Sequence, residues 1–146
     1  MSKLSISITI YIASTPEKVW KALTDPDITE RYWGATRIES DWRVGSKVIY
    51  RRDGKVTDEH ELLTCEPPLR FSHTFHPLFG EFASEPPSRV EFEIVPGGST
   101  VRLTMTHDNF QESSKVYRAC SGAWPMLLSS LKTLLETGQP LPEFKP

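Results

Sequence analysis

Two histidines carry the sharpest chemistry in this chain. His73 lies between Phe71 and Phe75 in an alternating strand pattern, and His107 continues the inward series Val101, Leu103, Met105. An imidazole enclosed by apolar side chains can orient a ligand hydroxyl or carbonyl, or exchange a proton near neutral pH. The alternative is an imidazole hydrogen-bonded to a neighbouring strand or a water, or sited at a sheet edge. The same parity places Phe71, His73, Phe75, Phe92, Met105 and His107 on one sheet face, opposite Trp124, Leu127, Leu128 and Leu131 of a helix. Mostly apolar walls with a few polar groups suit an apolar or aromatic small molecule. Large aromatics also fill cores for packing alone. Trp33 and Trp42 are expected to close one mouth, with Phe79 and Phe82 acting as a lid.

Other titratable residues offer less. His60 sits where Leu62-Leu63 breaks the alternation, so its face is ambiguous, and His76 before Pro77 marks a strand end. The four histidines show no metal-ligand spacing, and neither a metal nor a cofactor is expected. Glu59 and Glu61 share one strand face and read as solvated. Asp108-Asn109 reads as a turn or helix entry. Cys120 reads as a small buried thiol. Gly97-Gly98 is a hairpin turn, without the strand-to-helix context of a phosphate loop.

These residues need elements to hold them. Leu4 to Ala13 alternates as a half-buried antiparallel strand. Ser14-Thr15-Pro16-Glu17 caps and starts a helix carrying Val19, Trp20 and Leu23, which stops near Asp25-Pro26. A second short helix spans Asp27 to Trp33. Strands follow near Thr36–Ile38, Ser46–Arg52, Thr57–Cys65, Arg70–His76, Arg89–Val95 and Thr100–His107, with turns at Asp53-Gly54 and Pro96-Gly97-Gly98-Ser99. A short helical piece is expected at Ser114–Ala119. The last long helix is expected over Ser121–Thr137, with Pro125 in its first turn and Gly138 as its stop. Sequential hairpins imply an antiparallel sheet and an α+β fold, with the Trp124–Leu135 stripe covering its apolar face.

The 146 residues suggest one domain over 1–146, long enough for a real core. A net charge of −2 argues against nucleic acid or an anionic membrane as partner. The opening MSKLSISITIYIAS lacks a signal peptide's pattern, and no run is long enough to span a membrane. Two cysteines, Cys65 and Cys120, give no disulfide scaffold, so a reducing cytoplasm is the expected location.

Three stretches carry a family resemblance: Ser14 through Pro26 (STPEKVWKALTDP); Trp33-Gly34 followed by Asp41-Trp42-Arg43-Val44-Gly45-Ser46; and Gly122 through Gly138. Together they resemble the activator of Hsp90 ATPase homologue 1-like family, within the START / Bet v 1-like (SRPBCC) superfamily. Glu66-Pro67-Pro68 is also similar, while Ser46 stands where that family more often has a second glycine. The resemblance implies a helix-grip fold: a curved antiparallel sheet of six or seven strands wrapped on the C-terminal helix, often around an apolar cavity. With the lining above, the first expectation is a carrier or sensor of a hydrophobic small molecule. The alternatives are a cyclase- or aromatase-type cavity enzyme using His73 or His107, and a chaperone-interaction domain. The family's chaperone activator has a separate N-terminal domain for which this chain leaves no room. A homodimer is compatible with the family.

Overall fold

The structure is a computed structural model describing residues 3–146. Met1 and Ser2, which begin the stretch inspected for a signal peptide, lie outside the described residues. The chain runs β1 (Ile6–Ile12), α1 (Pro16–Thr24), α2 (Pro26–Tyr32), β2 (Arg37–Ser40), β3 (Lys47–Arg52), β4 (Lys55–Glu66) and β5 (Arg70–Phe75). A 3-10 turn (Gly80–Ser84), β6 (Ser88–Gly97), β7 (Thr100–Asp108) and α3 (Lys115–Thr137) complete it. The seven strands form one curved antiparallel sheet in the order β1-β7-β6-β5-β4-β3-β2. This is the expected α+β, helix-grip architecture.

Local chemistry explains most boundaries. Thr15 caps α1 by accepting from the Lys18 N–H, and Pro16 opens the helix. Asp25 ends α1 and caps α2 through the Asp27 N–H at 2.9 Å. Asp53 and Gly54 both take positive φ, which a two-residue hairpin joining β3 to β4 requires. Gly138 adopts φ 86° at the end of α3, and its N–H reaches the Leu134 carbonyl.

The C-terminal helix differs from expectation. It is one continuous helix from Lys115, not a short piece followed by a helix from Ser121. Pro125 therefore lies inside it rather than in its first turn. An interior proline costs about 3 kcal/mol. The sheet offsets that cost, because Val116, Trp124, Leu128, Leu131 and Leu134 bury one stripe on both sides of the proline. Each such side chain contributes roughly 1.5–3 kcal/mol. Pro125 itself points to solvent. Ser114 caps the true start, accepting from the Tyr117 N–H at 3.0 Å.

The β4 irregularity is also resolved. The β4–β5 register shifts between Leu62 and Thr64. Before the shift, Asp58, His60 and Leu62 all face the interior. A bulge of this kind defeats strict period-2 reading. Among the described residues, no helix is long and apolar enough to cross a membrane.

Candidate functional site

The inward strand faces and α3 bring most of the predicted lining together. Phe71, His73, Phe75, Phe92, Met105, His107, Trp124 and Leu128 are buried, as is Trp33. Leu127, Trp42 and Phe82 are half-buried against them. Phe79 is 45% exposed and meets Phe82 edge-on at 5.6 Å. Trp33 and Trp42 sit apart in the contact pattern. Trp33 packs on Trp124 and Tyr50, both at 5.7 Å, while Trp42 packs on Phe71 at 5.2 Å. Between sheet and helix, Phe75 and Phe92 pack against Trp124, with ring centroids 6.3 and 6.0 Å away. An open recess of about 460 Å³ lies elsewhere, at the start of α3, lined by Lys3, Leu4, Glu112–Ser114, Tyr117 and Arg118.

Hydrogen bonds assign each buried imidazole a tautomer. His107 Nδ1 accepts from Trp124 Nε1–H at 3.0 Å, so its proton sits on Nε2, which donates to Ser88 Oγ at 2.7 Å. Ser88 in turn donates to the Phe75 carbonyl. Both His107 nitrogens are therefore committed, and the ring positions Trp124. His73 Nδ1–H donates to the Thr74 carbonyl at 2.6 Å, which makes Nε2 its acceptor nitrogen. His60 Nδ1 accepts from the His76 backbone N–H at 2.9 Å, so its proton is on Nε2. Burial pushes all three below the ordinary histidine range: His73 to about 4, His107 to about 3, and His60 well down. Each is an uncharged ring at neutral pH.

Three inward polar groups lie outside the predicted lining: Tyr50 and Asp58, which the sequence reading did not single out, and His60, whose face it left ambiguous, are 3%, 4% and 2% exposed. Tyr50 stands directly across from Asp58 in the β3–β4 pair, and its ring is 4.5 Å from that of His60. The His60 ring stacks on His73 and on Phe75, both at 4.9 Å. Asp58 Oδ1 accepts from Thr57 Oγ1 at 2.7 Å. Burial raises the Asp58 carboxyl to about 6, against the opposing Thr57 bond and the Arg52 charge. Asp58 Oδ2 lies 3.7 Å from His60 Nε2, beyond hydrogen-bond reach. Among the described residues, Tyr50 Oη and His60 Nε2 have no hydrogen-bond partner. The spacing Asp58, His60, Leu62 and the spacing Val48, Tyr50 were the signals available for these positions. Phe110, whose ring lies tilted against His107 at 4.3 Å, was also missed, because it follows the last strand.

The segment after β5 spans this polar end. Pro77 bridges to Asp58, and the Leu78 N–H bonds the Thr57 carbonyl at 2.8 Å. At its far end Glu85, buried, accepts from Ser114 Oγ at 2.6 Å and from the Lys115 and Val116 N–H groups at 2.9 and 3.0 Å. A carboxylate satisfies the free N–H groups and the positive end of a helix dipole. Lys115 also pairs with Glu81 on the same segment at 3.1 Å. Residues 77–85 are thus tied down at both ends, with Phe82 turned inward. Within α3, burial and the charges of Asp58 and Glu85 push the Cys120 thiol up to about 12, so it stays protonated. Among the described residues, no group of three His, Cys, Asp or Glu is arranged to hold a metal ion.

Comparison with known proteins agrees with this architecture. Residues 13–136 match the family model described as activator of Hsp90 ATPase homolog 1-like protein. No curated protein matches. Among solved structures, the chain is similar to CalU16 from Micromonospora echinospora, with 25% identity over 94% of this chain and 77% of that one and a TM-score of 0.73. The Aha1 dimer from Colwellia psychrerythraea shares 24% identity over 92% of this chain and 98% of that one, TM-score 0.75. An HSP90 activator from Plasmodium falciparum shares 21% over 90% and 96%, TM-score 0.76. The last two likenesses speak to fold alone. The match from the end of β1 almost to the end of α3 shows that the chain belongs to the activator of Hsp90 ATPase homologue 1-like family.

Proposed function

We propose that this chain binds an apolar or aromatic small molecule between the sheet and α3, as a carrier or sensor. One observation carries the reading. The interior is lined with rings, yet among the described residues Tyr50 Oη and His60 Nε2–H are buried without a hydrogen-bond partner. An unmet buried polar group costs about 1–3 kcal/mol. A core selected for packing alone gains nothing from these groups, whereas a ligand that bonds them recovers the cost on binding. The interior is closed by the 77–85 segment, and entry requires that segment and the Phe82 ring to move aside. His107, with both nitrogens engaged, orients the site rather than exchanging protons. A reducing compartment suits the two free cysteines. Likeness to the Plasmodium activator reaches the fold only, so a chaperone partner forms no part of the proposal.

The test is protein-observed 1H–15N NMR with neutral two-ring aromatic probes. Saturable one-to-one binding should shift resonances of Phe92, Met105 and Trp124. Shifts confined to the outer surface, or no saturable binding by any probe up to its solubility, would rule the reading out.

A further inference from the structure

The polar end of the interior specifies more than apolarity. His60 presents a proton, because its Nδ1 is occupied by the His76 N–H and a neutral ring then carries hydrogen on Nε2. Tyr50 presents a hydroxyl at the same end, its ring edge-on to His60 at 4.5 Å. Asp58, opposite Tyr50, presents a carboxylate oxygen 3.7 Å from His60 Nε2. That separation is too long for a direct bond but is spanned by one oxygen lying about 2.8 Å from each atom.

His60 Nε2–H and an Asp58 carboxylate oxygen face one position, with Tyr50 on the same inward face, and this pairing of donor and acceptor matches one functional group. A hydroxyl oxygen accepts twice and donates once. A carbonyl accepts from Tyr50 and His60 but turns a lone pair toward Asp58. An ammonium group cannot accept from His60 Nε2–H, and a methyl group meets none of the three needs. The rings beside this position lie nearly parallel, His60 being tilted 23° to His73 and 13° to Phe75. A planar body continues such a stack, whereas a bulky aliphatic one does not.

We propose that Tyr50, Asp58 and His60 form a hydroxyl-recognising end of the interior site, which takes the O–H of a phenol or enol carried on a planar aromatic body. The oxygen accepts from Tyr50 Oη and His60 Nε2–H and donates to Asp58. This rests on the ligand-binding reading above and adds the chemical class of the ligand.

A matched pair of probes tests it. 2-Naphthol and 2-methylnaphthalene share a body and differ in one group of similar size. With the full chain at pH 7, titrations followed by 1H–15N NMR should show 2-naphthol binding at least about tenfold more tightly, equivalent to about 1.4 kcal/mol. Tyr50→Phe and Asp58→Asn should each shrink that preference to within about threefold. Equal affinities in the unaltered protein, or a preference that survives both substitutions, would overturn the hydroxyl assignment and leave only general aromatic binding. Failure of both probes to shift interior resonances would overturn the ligand-binding reading itself, and this proposal with it.

Discussion

Replacing Tyr50 with phenylalanine removes one oxygen from the interior and leaves the ring in place. Tyr50 is 3% exposed, and its hydroxyl has no hydrogen-bond partner among the described residues. Desolvating such a group without compensation costs about 1–3 kcal/mol, so Tyr50→Phe should stabilise the ligand-free protein by that amount. Unfolding entropy of about 2.1 cal/mol/K per residue gives roughly 0.3 kcal/mol/K for this chain. The melting temperature should therefore rise by roughly 3–10 °C. Tyr32 supplies the control. It is equally buried, but its hydroxyl donates to the Ala22 carbonyl at 2.6 Å. Tyr32→Phe loses that bond, at about 1 kcal/mol, and should melt roughly 3 °C lower. The assay is thermal and urea unfolding of protein refolded from denaturant, so that nothing bound during expression remains. The urea slope should stay constant, which assigns the change to stability rather than to compactness. If Tyr50→Phe melts lower, as Tyr32→Phe does, the Tyr50 hydroxyl is satisfied in the free protein, and the case for an unmet interior collapses.

Two further expectations follow from the same interior. Unfolding free energy should fall as pH drops from 6.5 toward 4. His73 at about 4 and His107 at about 3 lie below the unfolded value, as does His60, so the unfolded chain takes up protons first. His73 alone accounts for about 3 kcal/mol of that loss by pH 4. Asp58 acts in the opposite sense. Its folded value of about 6 exceeds the usual 3.8, so its burial penalty grows as pH rises through that interval and is relieved in acid. Asp58→Asn should therefore steepen the acid loss, whereas a melting temperature flat from pH 6.5 to 4 would show that the imidazoles are solvated. Glu85→Gln should cost roughly 1.5–3 kcal/mol by weakening a charge-assisted cap on α3. It should also speed amide exchange in 77–85 and at Lys115 and Val116, and unchanged exchange there would show that Glu85 does not hold the segment closed.

What the sequence determined by itself was local. Strand alternation from Ile6 to Ile12, the Asp53-Gly54 turn, the Thr15 and Asp25 caps and the Gly138 stop each depend on a few neighbouring residues, so order and fold class were legible. The inward positions of His73, His107 and Trp124 followed from period alone, but their roles did not. Tertiary structure decided the rest. Pro125 sits inside a helix because a sheet many residues away buries the stripe on both sides of it. His60 and Asp58 face inward because a register shift with β5 absorbs the Leu62-Leu63 irregularity. Glu85 caps a helix that begins 30 positions later. The His60 tautomer depends on a backbone N–H 16 positions away. Such facts are pairings between distant parts of the chain, and only the closed fold brings their partners together.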